Sequence, residues 1–199
     1  MYQKDENNKD EIIKDEIILQ AQKLFKQFGL KKTTMDEIAV ACGKGKSTLY
    51  HYFKSKEEVF DAVISKELTS LRKVVNQEVV KQNKLKDKLQ AYFITFHQET
   101  IHKINLYRIL KQEIKVQLSN QSRFNNILEF ETNYDNALID NGIDNGELTG
   151  IEKDNSNWFS ELLVIAFLGI VKHSVSKDDE FDSNELFKVA EVFISRLII

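Results

Sequence analysis

The sequence predicts an all-α protein, with a small N-terminal head of three helices followed by a larger helical body. Two observations carry this. The chain of 199 residues contains no proline and only seven glycines, so strong backbone breakers are rare. Apolar residues recur at three- and four-residue steps, the spacing that gathers them on one side of a helix. The alternation expected of a half-buried strand is not evident, nor is any internal repeat.

Residues 1–10 are polar and read as a mobile tail, without the apolar stretch of a signal peptide. The first helix is expected over residues 11–28, where Ile13, Ile17, Ala21, Leu24, Phe25 and Phe28 form one stripe. Gly29 then provides a stop. Thr34-Met35-Asp36-Glu37 opens the second helix as a capping box: the Thr34 hydroxyl can accept from the Glu37 amide, and the Glu37 carboxylate can reach back. Met35, Ile38, Ala39 and Cys42 are its buried side. Gly43 to Gly45 is a turn, and the third helix covers about residues 46–53, with Leu49 and Phe53 facing inward. A second capping box, Ser55-Lys56-Glu57-Glu58, opens a fourth helix carrying Val59, Phe60, Val63, Ile64, Leu68, Leu71 and Val75. Further helices are expected near 84–102, 104–117, 122–141, 155–174 and 183–198. The domain division is a tail over 1–10, a head over 11–56 and a body over 57–199, with the fourth helix shared.

Charge is distributed unevenly. The net charge is −3, which alone argues against a polyanionic partner. Residues 12–56, however, hold nine lysines against four acids, a net of +5. Residues 57–199 hold 17 Lys/Arg against 23 Asp/Glu, a net of −6, and the first eleven residues add −2. A basic head on an acidic body concentrates the attraction for phosphate in one place. The single cysteine, Cys42, excludes an internal disulfide and a cysteine-rich zinc site. The longest apolar run, Leu162 to Val171, is about half of a membrane span. A cytoplasmic protein without a membrane partner is expected.

Two short helices joined by a glycine-containing turn form a helix-turn-helix, in which the second helix enters a major groove of double-stranded DNA while the first braces across it. With Leu49 and Phe53 turned inward, Lys46, Ser47, Tyr50, His51 and Tyr52 remain to face outward as donors. Thr34 stands at a helix start, where a hydroxyl and free amides suit phosphate. Lys44 in the turn and Lys56 beyond the third helix flank this surface.

Here the chain resembles the tetracycline-repressor (TetR) family of regulators. The resemblance covers about residues 13–64 and rests on AQKLFKQFG (Ala21 to Gly29), TTMDEIA (Thr33 to Ala39) and KSTLYHYFKSKEEVF (Lys46 to Phe60). It implies a homodimer with a helix-turn-helix head and a ligand-binding body, and implies DNA contacts for Thr34, Lys46, Ser47, Tyr50, His51, Tyr52 and Lys56. It further implies a repressor that leaves its operator when a small molecule binds. The turn departs from the family pattern: Lys44-Gly45 stands where Val-Ser is common. The valine usually packs inside and the serine usually caps the third helix; here Lys44 can point at phosphate, and Gly45 is a tolerable cap.

Other chemistries lack their residues. Gly43 to Thr48 mimics a phosphate-binding loop, but the required first glycine is Val40. Asp140, Asp144 and Glu147, with Gly142 and Gly146, resemble a calcium loop, but Asn145 and Ile151 occupy its obligatory glycine and glutamate positions, so a helix-ending turn is expected. His97 and His102 fall on different helix faces. No nucleophile or carboxylate pair has a catalytic setting, so neither an enzyme, a cofactor nor a metal site is expected. Cys42 reads as core.

The body is rich in aromatic residues. Most must be core, but Phe93, Phe96, His97, Tyr107, Phe130, Tyr134 and Trp158 are candidates to line a cavity for a small hydrophobic effector. Trp158 to Val171 is apolar around nearly its whole circumference, and Leu186, Val189, Ala190, Phe193 and Leu197 form another broad stripe. Dimerisation through the helices near 155–174 and 183–198 would cover both. A ligand-independent DNA-binding protein with a purely structural body is the alternative from residue pattern alone.

Overall fold

The computed structural model describes residues 2–106, 121–176, 188, 192 and 194–196. Among them every regular element is helical and no strand occurs. The elements are α1 (Tyr2–Phe28), α2 (Met35–Ala41), α3 (Lys46–Tyr52), α4 (Lys56–Val79), α5 (Leu85–Leu106), α6 (Gln121–Asp144) and α7 (Ser156–Ser176), with a 3-10 turn over Lys153–Asn155. The chain divides into two compact units; one division falls inside α4, between Ser70 and Leu71, and another near the end of α5, between Ile104 and Asn105. The expected boundary lay at the start of α4. The expected helix over 104–117 and most of that over 183–198 lie outside the described residues.

The first difference from expectation is at the N-terminus: α1 begins at Tyr2, so the polar stretch continues the helix. That stretch has no glycine or proline, and extending an existing helix adds one hydrogen bond for each residue fixed. The second difference is in its stripe. Ile17, Ala21 and Phe25 are fully buried and Ile18 joins them, but Phe28 is exposed. Phe28 is the last residue of α1; Gly29 turns the chain at φ +83°, and Leu30 becomes buried beyond it.

The core of this unit is completed by Ile38, Leu49, Val59, Phe60 and Val63. Phe25 meets Phe60 edge to face at 5.5 Å, joining α1 to α4. Lys66 pairs with Asp15 at 2.8 Å, and Gln22 hydrogen-bonds Glu67 across the same two helices.

The second unit packs Leu71, Val75 and Val79 of α4 against Tyr92, Phe93 and Phe96 of α5 and Phe167 of α7. A second cluster gathers Leu85, Leu89, Ile139, Leu148, Leu163 and Ile194. α6 and the start of α5 approach closely at Gly142, where a Cβ would lie 2.2 Å from Leu85 Cδ2. Past this point α6 ends as the sequence predicts. Gly146, at φ +71°, donates to Ile143, and Glu147 donates to Gly142, the paired bonds of a Schellman turn. Two acids of the calcium-like pattern have structural partners: Lys153 holds Asp144 at 2.7 Å, and Glu147 accepts from the Leu85 amide at 2.7 Å.

A charged cluster lies beside the aromatic core. Glu131 of α6 accepts from the Arg72 guanidinium and, at 2.8 Å, from the Tyr92 hydroxyl. The Arg72 guanidinium carbon stands 4.0 Å from the centre of the Tyr134 ring. Asp135, one turn along α6 from Glu131, is 0% exposed, and neither of its oxygens has a hydrogen-bond partner. Burial pushes its carboxyl up to about 7, with the Arg72 charge offsetting part of the effect.

The stability consequence has a definite sign. The folded chain holds the Asp135 proton more tightly than the unfolded chain does. This contribution is therefore complete below pH of about 4 and is lost as pH rises toward about 7. Asp135→Asn should flatten that part of the stability profile. At pH 8 it should raise the thermal midpoint, by about 2–4 °C for each kcal/mol recovered. Calorimetry from pH 5 to pH 8 checks this; a variant less stable than the parent at pH 8 would show that the carboxylate is compensated.

Candidate nucleic-acid interface

α2 and α3 have seven residues each, too few to persist alone in water, so contacts beyond each helix must hold them. At the start of α2, the Thr34 hydroxyl accepts from the Glu37 amide at 3.2 Å, and the Glu37 carboxylate accepts from the Thr34 amide at 2.8 Å. This is the capping box expected from the sequence. The same carboxylate also accepts the Thr34 hydroxyl proton at 2.9 Å, so that hydroxyl must rotate before it can donate to a phosphate.

The turn is a Schellman motif. Gly43 at φ +62° donates to Val40, and Lys44 donates to Ala39, both at 3.0 Å. Gly45 follows in extended conformation and caps α3 without a side-chain bond. The Lys44 ammonium lies 4.0 Å from Glu16 of α1. Cys42 is buried at the end of α2, and burial is the main cause raising its thiol pKa, as befits a core residue.

On α3, Leu49 is 0% and Phe53 just beyond it 2% exposed, while Lys46, Ser47, Tyr50 and His51 face solvent. Tyr52 is half-buried and meets His51 edge to face at 5.0 Å. Beyond α3, Ser55 caps α4 through a 3.2 Å bond from the Glu58 amide. The return half of this expected box is displaced by one residue, because Glu58 accepts from the amide of Lys54. Lys56 is half-buried in the first turn of α4.

Two of these outward groups already have acidic partners that the sequence pattern did not reveal. Lys46 pairs with Asp36 of α2 at 2.8 Å, and this hydrogen bond raises its pKa. The Tyr52 hydroxyl donates to Asp10 of α1 at 2.6 Å, which likewise raises its pKa. Both contacts lie at the protein surface, so they are weak and exchangeable.

The comparisons with known proteins bear on this geometry. The sequence profile of the bacterial regulatory proteins, tetR family, matches residues 17–63, the segment that builds the helix-turn-helix. Residues 17–63 are thus similar to the DNA-binding segment of the TetR family. The HTH-type transcriptional regulator YhgD of Bacillus subtilis is 38% identical over 95 residues, 48% of this chain and 43% of that protein. The HTH-type transcriptional repressor KstR2 of Rhodococcus jostii is 29% identical over 114 residues, 57% and 55% of the two chains. The matched part thus spans about half the length of these curated relatives. A transcriptional regulator from Cytophaga hutchinsonii, known from its crystal structure, is similar over 91% of this chain and 92% of its own, with 28% identity and a TM-score of 0.63. The fatty acid degradation regulator FadR of Bacillus halodurans shares the fold, with a TM-score of 0.66 at 19% identity over 91% of this chain and 93% of its own.

In the body, Phe93 and Phe96 lie together in the aromatic cluster, with Tyr134 packed against it. His97 is buried on the same helix, and burial lowers its pKa, favouring the neutral ring. Trp158 is 71% exposed in the first turn of α7, outside this cluster. Phe130 is on α6, but its side chain lies outside the described residues, as does Tyr107. The sequence pattern missed Glu131 and Asp135; their spacing of four on one helix was the available signal.

The left-handed turn at Gly43 can be tested directly. No atom lies within 4 Å of the position a Cβ would take, so a substitution there is penalised by the backbone alone. Gly43→Val should cost about 1–2 kcal/mol, and Gly43→Asn less, in urea unfolding midpoints. Equal midpoints for Gly43→Val and the parent would contradict the turn assignment.

Proposed function

We propose that this chain is a sequence-specific, DNA-binding transcriptional regulator that works as a homodimeric repressor and is released from its operator by a small hydrophobic effector. It acts in the cytoplasm and is not an enzyme. The observation that carries the proposal is the division of labour in the α3 region: Leu49 and the adjoining Phe53 are spent on the core, and Lys46, Ser47, Tyr50 and His51 face solvent. Those four, with Tyr52, suit groove and phosphate contacts, while Thr34, Lys44 and Lys56 suit phosphates at the edges. The KstR2 relatives are named as transcriptional repressors, which supports the sign of regulation.

A dimer explains α7. In the single chain Trp158, Leu162 and Ile165 are 71, 63 and 44% exposed, at the three- and four-residue steps that share one side of a helix. A second copy covering this apolar row would bring two heads into register with successive major-groove faces, about 34–36 Å apart. Among the described residues no helix is long and apolar enough to cross a membrane, so a bilayer-spanning role does not explain the row. The effector belongs in the body, near Phe93, Phe96, His97 and Tyr134, where aromatic side chains surround a few polar groups.

Alanine at Lys46 or Tyr50 should weaken binding to the operator in mobility-shift titrations without changing the thermal midpoint. Loss of a Lys46 phosphate contact should reduce the salt slope by about 0.9, whereas loss of the uncharged Tyr50 should leave it unchanged. Undiminished binding by Lys46→Ala, Tyr50→Ala double variants would remove α3 from the groove. Independently, Leu162→Glu should convert a dimer to a monomer in sedimentation and weaken operator binding; a monomeric parent protein would overturn the dimer.

A further inference from the structure

We propose that the side of α6 carrying Glu131 and Asp135 is a binding site for an organic cation, an ammonium or amidinium group attached to an apolar body, and that molecules of this class are the effectors. This rests on the proposal above that the body senses a ligand.

The composition of the cluster leads there. Among the described residues, two carboxylates and one guanidinium meet beside the Tyr92 and Tyr134 hydroxyls. Glu131 takes the Arg72 charge and the Tyr92 hydroxyl on one oxygen, Oε2, while its Oε1 has no partner. Asp135 has no partner on either oxygen. Both residues are at least 99% buried. Removing an uncompensated carboxylate from water is expensive, and a protein interior rarely keeps one without a donor. With both acids ionised, the described residues of the cluster are one positive charge short. An ammonium or amidinium group supplies that charge and several N–H donors together.

The neighbouring rings suit the same ligand. The Tyr92 ring lies 6.1 Å from Tyr134 and 5.7 Å from Phe96, in stacked arrangements. Such faces attract cations and accommodate an apolar body. Arg72 already uses the Tyr134 face, which shows that the ring serves a positive group here. A carboxylate or phosphate ligand would instead meet two acids and a guanidinium already bound to one of them. A neutral alcohol could donate to Asp135 but would leave the charge unbalanced.

Entry goes past Tyr134, the partly exposed member of the group, whose hydroxyl is held by Asn76 of α4 at 2.8 Å. A cation reaching Asp135 and the open oxygen of Glu131 competes with Arg72, also on α4. Binding therefore acts on the polar contacts between α4 and α6.

The test uses the full chain, with octylammonium, octanol and octanoate as probes that differ only in the head group. Calorimetric titration at pH 8 should show octylammonium binding at least tenfold more tightly than either of the others. Asp135→Asn should weaken octylammonium binding at least tenfold while raising the thermal midpoint of the free protein, which shows that it folds. Glu152→Gln, an exposed acid outside the cluster, should change neither. Preference for octanoate, no octylammonium binding, or full binding by Asp135→Asn would each overturn the site. Operator release separates the two proposals. If octylammonium binds through Asp135 but leaves DNA affinity unchanged, the site stands and the effector-released regulator falls. If octanoate or octanol releases DNA and octylammonium does not, the regulator stands and the cation site falls.

Discussion

The head depends on burial of Leu49 and Phe53. A helix of seven residues forms too few internal hydrogen bonds to offset its nucleation cost, so α3 exists only while these two side chains are held by the surrounding helices. Because both anchors lie on one side, the opposite side can be filled with residues that contribute nothing to folding. The residues proposed to contact DNA and those that hold the helix thus occupy different faces of a single short element. The same constraint explains the turn: Gly43 in the left-handed region lets the chain reverse quickly enough for α3 to return to the core formed by α1 and α2.

Much of the head is readable from the sequence because its signals are local. The Thr34–Glu37 box, the stop at Gly29 and the turn at Gly43 each depend on residues within a few positions of one another. The expected reciprocal bond at Ser55 is displaced by one residue because Glu58 reaches the Lys54 amide instead. The contacts that went unseen are those between elements. Lys46 and Asp36 are ten residues apart, and Tyr52 and Asp10 are 42 apart. No periodicity encodes such pairs. Likewise, a polar N-terminal stretch is ambiguous between coil and helix, since it has no apolar recurrence that would mark a face.

The body was readable as helices but not as an arrangement. Its apolar recurrence located α5, α6 and α7 to within a few residues, and the glycine turn after α6 matched expectation. Which polar residues lie inside was hidden. Charged residues on a helix normally face water, and Arg72 meets Glu131 across 59 residues of chain. Phe93, Phe96 and Tyr134 were recognisable as aromatic candidates because size and hydrophobicity favour burial, whereas Trp158, the largest of them, is exposed on a row of α7 that lacks cover in the single chain.

That position of Trp158 has a practical consequence. It is the only tryptophan in the chain, so indole emission excited at the red edge reports on one location and no other. The ring stands in water at the start of the apolar row of α7, where its spectrum is sensitive to a change in local polarity. Association of two copies through this row would move the emission toward the blue and shield the ring from soluble quenchers. Trp158 would therefore serve as an intrinsic, label-free optical gauge of the proposed association.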